Sequence, residues 1–353
     1  MPPLPDNGPL FSVLEYAPGF VKYALHFPYG FYLAAKYRSA SLPAISNPSI
    51  VTGGIAGESK TDLYALVGPY AKRFFAPFIT VHAGDAADSF RTELEGAGIT
   101  YPLVAKPDIG RNGRGVKIIE DEAALMKYLR SFPADVRMVL QRYVSDEGEA
   151  GVFYVRKPSE THGRITSLTL KYFPEVTGDG RSTLRELITR DPRASKIAAI
   201  YFRRNKRDLD RVIPEGERHR LVSVGNHVRG SLFINGEDFI TPEMTAAFDR
   251  ISKDIKDLYF GRFDVRFADI HDLSAGKDFT ILEYNGASSE PTHVWDRRTS
   301  MRETYRELLA HWRYAFEIGA EHRARGVPVP KFWDLVRVWR EEEALIQRYP
   351  DEE

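Results

Sequence analysis

Asp264, Glu283 and Asn285 offer two carboxylates and an amide oxygen on two β-rich stretches, GRFDVRF (261–267) and FTILEYNG (279–286). Alternate residues of a strand share a face, so Glu283 and Asn285 point one way and Tyr284 the other. An oxygen-only set of this kind suits Mg²⁺, or Mn²⁺ in its place, which takes a few protein oxygens and completes its shell with water and substrate phosphates. The same spacings occur on ordinary half-exposed strands, so the metal reading needs independent support from the rest of the chain.

YPLVAKPDIGRNGRGVKII (101–119) supplies it. An apolar run from Leu103 to Ala105 delivers Lys106, Pro107 ends the strand, and Val116 to Ile119 resume one. Between them Gly110, Gly113 and Gly115 lack Cβ atoms, so the loop can take positive φ and bring backbone N–H groups against phosphate oxygens. This is strand–loop–strand, whereas a dinucleotide fingerprint or P-loop runs from strand into helix. A plain hairpin connection also uses glycines. Lys106 just before the loop, with Arg111, Arg114 and Lys117 in or beside it, favours an anion beneath.

In this order and separation the two blocks resemble the ATP-grasp superfamily, particularly its carboxylate–amine ligases, over about residues 55 to 300. GESKTDLYALVGPYAKRFFAPFITV looks like the segment before the nucleotide lid, which makes Lys60 the counterpart of the first ATP-contacting lysine and Lys106 that of the second. VLQRYVSDEGEAGVFYV resembles the interdomain hinge. The resemblance implies that Gln141, Arg142, Tyr143 and Val144 lie along the adenine and that Glu149 is the ribose-binding carboxylate. Arg262 matches an arginine that contacts phosphate, and Asp264, Glu283 and Asn285 match the metal ligands. FPEVTGDGRSTLRELI (173–188) and LDRVIPEGERHRL (209–221) are similar to stretches of cyanophycin synthetase-like and bifunctional glutathione synthetase-like ligases. Two loops depart from the family pattern, VSVGNHVRGS (222–231) and GASSEPTHVWD (286–296). Both face the acceptor substrate in the family. The resemblance therefore implies substrate contacts for Asn226, His227, Ser288 and His293, and a catalytic guanidinium at Arg229 beside the reacting carboxylate.

The implied fold is α+β (α/β), two α+β lobes gripping ATP. A reduced α/β pre-ATP-grasp region (1–58) precedes the ATP-grasp domain (59–300, lid about 100–150), and a C-terminal helical segment (301–353) follows. The implied reaction joins a small-molecule carboxylate to an amine through an acyl phosphate, at the expense of ATP with Mg²⁺. A phosphotransferase without an amine acceptor, or a non-catalytic nucleotide-binding scaffold, are the alternatives.

The elements that must position these residues follow from the rest of the chain. With 353 residues, 43% hydrophobic and 12% aromatic, it can bury sizeable cores. Lys+Arg and Asp+Glu both total 49, so there is no general pull toward nucleic acid or anionic lipid. Cysteine is absent, which excludes thiolate catalysis and Cys-zinc sites. The nine histidines show no metal-ligand spacing. The start, MPPLPDNG, has no signal-peptide pattern, and no window is long and apolar enough for a membrane span, so a cytoplasmic protein is expected. Aromatics crowd residues 9–37 (Phe11, Phe20, Phe27, Phe31 and Tyr32 among them), which predicts helices packed on the body, or else a membrane-surface or apolar-substrate site. Residues 41–57 predict a short strand and a turn at Gly53-Gly54. Ser182 or Thr183, three residues or so before Glu186, predicts a helix N-cap after the Gly178-Asp179-Gly180 turn. Beyond residue 300, Tyr305, Leu308, Leu309, Trp312 and Phe316, then Phe332, Leu335, Val336 and Trp339, form two helical stripes. These predict core packing, or a contact in a homodimer.

Overall fold

The computed structural model describes residues 1–5, 8–16, 18, 24–111, 113–222 and 230–350. Strands β1 (Phe78–His82), β2 (Leu103–Pro107), β3 (Lys117–Ile119) and β4 (Arg137–Arg142) make an antiparallel sheet in the order β1-β4-β2-β3. The predicted strand–loop–strand is present as β2 and β3, with Leu103 opposite Ile119. Helices Ala87–Gly96 and Glu122–Leu129 bury Phe90, Leu94, Leu125 and Leu129 against this sheet.

The second sheet uses β5 (Gly148–Val155), β6 (Arg164–Tyr172), β9 (Leu232–Asn235), β10 (Phe260–Phe267) and β11 (Phe279–Asn285), in the order β11-β10-β5-β6-β9. Its two faces follow the period-2 pattern of the sequence. Ala150, Val152 and Tyr154 of β5, Leu168 and Leu170 of β6, and Phe263, Val265 and Phe267 of β10 pack with Met244, Phe248 and Ile251 of helix Pro242–Lys253. The opposite face carries Glu149 on β5, Lys171 on β6, and Arg262, Asp264 and Arg266 on β10, all ion-paired. Farther along, that face turns apolar, and Phe153, Val155 and Phe260 pack on Ala315 and Ile318 of helix Met301–Ala324. One face of one sheet is thus divided into a charged end and a greasy end. The helix fixes the greasy end.

Between β6 and β9, strands β7 (Glu175–Thr177) and β8 (Arg218–Arg220) and helices Leu184–Arg190 and Ala198–Arg204 enclose a separate core around Ile188, Tyr201 and Ile213. Thr183 caps the first helix in a reciprocal capping box with Glu186, as its spacing predicts.

Two expectations change. Residues 41–57 form 3-10 turns, Leu42–Ile45 and Val51–Gly54, and no strand precedes β1 among the described residues. Pro43 and Pro48 cannot donate to a ladder, and the buried Asn47 side chain takes its place. It donates to the Gly53 and Phe260 carbonyls and accepts from the Tyr259 and Phe260 amides. The second C-terminal stripe is also displaced. Helix Phe332–Gln347 buries Leu335, Glu342 and Ile346, while Phe332 and Trp339 are exposed. Phe27, Phe31 and Tyr32 of helix His26–Tyr37 are exposed as well. No helix among the described residues is long and apolar enough to cross a membrane.

Candidate functional site

Asp264 and Glu283 stand directly opposite each other in the β10–β11 register, with Arg262 opposite Asn285 two pairs on. Both carboxylates are held by cations. Arg262 Nε and Nη2 reach Asp264 at 3.1 and 3.2 Å, and Lys171 Nζ reaches it at 2.9 Å. Burial opposes the charged form of Asp264, yet Arg262 and Lys171 outweigh it and hold its carboxyl well below the usual range. Glu283 is likewise lowered against burial, by Lys106 and Lys60. Both groups are therefore ionised at neutral pH, as metal ligands must be.

Lys106 is buried at the end of β2. Its Nζ donates to Gln141 Oε1 at 3.0 Å and to Glu283 at 3.4 Å, so it bridges the two sheets. Burial and the nearby Lys60 push its pKa down while Glu283 opposes them. Gln141 spans the same gap, its Nε2 donating to the Leu282 carbonyl at 3.0 Å. Lys60 begins helix Lys60–Ala65, and both its backbone N–H and its Nζ donate to the Asp108 carbonyl, at 3.1 and 3.2 Å. The buried Asp108 carboxylate accepts from the Thr61 N–H and hydroxyl and pairs with Arg137 at 2.7 Å. Lys60 and Lys106 are thus brought to one crevice, together with Tyr64, Phe78, Val139, Leu282 and Glu283. Its free volume is about 20 Å³, room for a single water.

In the loop after Lys106, Gly113 and Gly115 have φ of 69° and 71°, the left-handed region that glycine opens to the loop. A Cβ at Gly115 would lie 2.8 Å from the Pro107 ring. Gly110 is not in the left-handed region and has space for a side chain. Arg111 and Arg114 do not turn beneath the loop; both meet the C-terminal helix and its end.

Glu149 is buried, with Lys171 at 3.0 Å and Arg266 at 3.1 Å. Arg142 is exposed and Tyr143 and Val144 are half-buried on the link from β4 to β5. His293 is buried, its Nδ1 2.7 Å from Ser167 Oγ, and burial lowers its pKa. Ser288 is exposed on the loop after β11. Gly53 and Gly54 receive the backbone N–H groups of Ala287 and Ser288 at 3.0 and 2.7 Å, so this turn supports that loop. Asn226, His227 and Arg229 lie outside the described residues.

Three site groups escaped the sequence reading. Lys171 belongs to a polar stripe, Ser167, Thr169 and Lys171, and Arg266 to another, Arg262, Asp264 and Arg266. Both are visible as period-2 alternation in apolar strands. Glu58 accepts from the Gly286 N–H at 2.7 Å. Burial raises its carboxyl to about 7, against the Gly286 N–H and Lys60, with Glu283 and Glu342 adding to the rise. Among the described residues no group of three or more His, Cys, Asp or Glu is placed to hold a metal. The candidate set is instead two carboxylates and Asn285, which fits a hard cation that takes its remaining ligands from substrate.

No protein-family model matches the chain. Over 213 residues it is 28% identical to cyanophycin synthetase of Synechocystis sp. (strain ATCC 27184 / PCC 6803 / Kazusa), covering 55% of this chain and 24% of the relative. The corresponding protein of Geminocystis herdmanii (strain PCC 6308) is 26% identical over the same length and coverage. The chain thus spans about a quarter of the length of these curated relatives. Among solved structures, the D-alanine–D-alanine ligase of Bacillus anthracis aligns with a TM-score of 0.43 at 13% identity, over 76% of this chain and 69% of that one. Over 55% of its length the chain is thus similar in sequence to cyanophycin synthetases, and the matched stretch accompanies a structure of two antiparallel sheets.

Proposed function

We propose that the chain is an ATP- and Mg²⁺-dependent ligase that joins a small-molecule carboxylate to an amine. The observation that carries this is the convergence of Lys106, Arg262, Asp264 and Glu283 where the two sheets meet. Four charges of both signs held half- or fully buried at this junction are costly to fold around, which supports a role for them in phosphate and metal chemistry.

In this reading Lys60, Lys106 and the loop Asp108–Val116 hold the ATP phosphates, with the adenine against Gln141, Arg142, Tyr143 and Val144 and the ribose at Glu149. Asp264, Glu283 and Asn285 hold Mg²⁺, which would neutralise phosphate charge. Arg262 and Lys171, now turned to Asp264, are free to turn to phosphate oxygens once a cation takes that carboxylate. A substrate carboxylate attacks the γ-phosphorus, ADP leaves, and the amine displaces phosphate from the acyl phosphate, losing a proton. Positioning and charge neutralisation do most of the work. Arg229 serves the developing oxyanion, and Asn226, His227, Ser288 and His293 belong to the substrate side.

The test is ADP release over a matrix of carboxylates and amines with ATP and Mg²⁺. The reading expects release that depends on both partners and an amide product. ADP release with a carboxylate alone, accompanied by a stable phosphorylated product, would favour a kinase instead.

A further inference from the structure

Arg111 lies within the loop assigned above to the ATP phosphates, yet carboxylates from the far end of the chain already hold it. Its Nε donates to Glu342 at 2.6 Å and its Nη1 to Glu343 at 2.7 Å. Glu342 is buried in this contact, and its other oxygen accepts from the Gly57 N–H at 2.8 Å. One carboxylate thus ties the phosphate loop to the segment that leads into Lys60. The chain end adds two further ties to the same loop. Arg114 donates to the Tyr349 carbonyl at 3.3 Å, and the Tyr349 hydroxyl donates to the Ile109 carbonyl at 2.6 Å. Ile346 and Tyr349 are buried in the core of the β1–β4 lobe, Tyr349 against the Phe132 ring. The helix is anchored by apolar side chains and presents its acids to the loop.

Two observations mark the acidic part of this contact as exchangeable. Arg111 Nη2 is buried with no hydrogen-bond partner among the described residues, so Glu342 and Glu343 satisfy the guanidinium incompletely. A buried donor left unmade is unfavourable, and a phosphate, with more oxygens than either carboxylate offers here, answers it better. The crevice at Lys60 and Lys106, which flank the two tied segments, is about 20 Å³, far smaller than the several hundred Å³ of an ordinary ligand pocket. Nucleotide therefore enters only when the segments carrying Lys60 and Lys106 move apart, and Glu342, bonded to both Gly57 and Arg111 beside them, opposes that movement.

We propose that Glu342 and Glu343 are an internal competitor for nucleotide phosphate. They hold Arg111, and with it the loop, until ATP displaces them, so the C-terminal helix sets the nucleotide concentration at which the site opens. The inference rests on the loop being the ATP-phosphate site.

The experiment compares binding of ATP and adenosine by the full chain and by Glu342→Gln/Glu343→Gln. Glutamine keeps an acceptor for the Gly57 N–H while removing the charge. ATP is expected to bind about three- to tenfold tighter, the scale of a partly exposed charge-assisted contact, with adenosine unchanged. In an Arg111→Met background the same pair of substitutions is expected to change nothing. Glu343 is half-exposed, so Glu343→Gln alone gives a smaller gain in the same direction if the double variant folds poorly. ATP affinity unchanged or weaker in the folded variants, or a gain that persists with Arg111→Met, would overturn the inference while leaving the ligase reading intact. A wild-type chain that binds no ATP would overturn both.

Discussion

In the proposed reading two demands meet at Lys106: its charge holds phosphate, while burial pushes its pKa down. Glu283, at 3.4 Å, favours the ammonium form against that burial. Lys106→Ala is expected to weaken ATP about ten- to a hundredfold, the scale of a lost charge-assisted bond at about 1.5–3 kcal/mol, and AMP much less. Isothermal titration with both nucleotides checks this, and equal losses would make Lys106 a structural bridge only. At this scale the chemistry-bearing side chains were readable because type and period coincide. Asp264 and Arg262 alternate on one strand, and Glu283 and Asn285 on the next. Lys171 and Arg266 were missed although they obey the same alternation, because one cation in an apolar strand looks like an ordinary solvent-facing residue. Only the sheet order, which sets β6 and β10 on either side of β5, makes partners of Lys171 and Asp264.

The strands of the charged face are held by an element with no group in the site, helix Met301–Ala324. His311 of that helix is buried against β6. Its Nδ1 is 2.8 Å from the Glu307 carbonyl, which can only accept, so Nδ1 carries the proton and Nε2 accepts from Thr166 at 3.0 Å. The neutral ring is fully satisfied, and burial lowers its pKa from 6.5 to about 4. Because the folded pKa is lower than the unfolded one, the unfolded chain takes up the proton first. Stability is therefore complete above about 6.5 and falls as pH drops from there toward 4. His311→Gln is expected to flatten that part of the curve, measured by urea unfolding at several pH values; an unchanged slope would contradict the account. The two long C-terminal helices were readable from their stripes, as was the Thr183 capping box. The strand expected in residues 41–57 was not, since Asn47 supplies its hydrogen bonds from across 213 residues of sequence to Phe260, and no local pattern signals that. Nor did the apolar stripe reveal the buried face of helix Phe332–Gln347, because Glu342 sits in that face to meet Arg111.

At the scale of the whole molecule, the β1–β4 lobe, the β5–β11 lobe and the insert each have their own core, and the charged residues lie between the two lobes. Lys106 from one lobe meets Glu283 from the other, and Asp108 ties Lys60 to the first. In the proposed reading catalysis is a property of the junction, because the cations proposed for phosphate and the oxygens proposed for the metal come from different lobes. The loop after β11, one of the two stretches that depart from the family pattern, faces the acceptor substrate in that reading. On the same proposal the junction makes an acyl phosphate with the help of a metal at Asp264 and Glu283. Hydroxylamine traps such an intermediate as a hydroxamate. With ATP, Mg²⁺, hydroxylamine and a panel of carboxylates, the wild-type chain is predicted to accumulate hydroxamate with at least one of them. Glu283→Ala, which removes a half-exposed side chain and opens no core cavity, is predicted to stay folded and form none. ADP release without hydroxamate across the panel, or hydroxamate formed at wild-type rate by Glu283→Ala, would contradict the account.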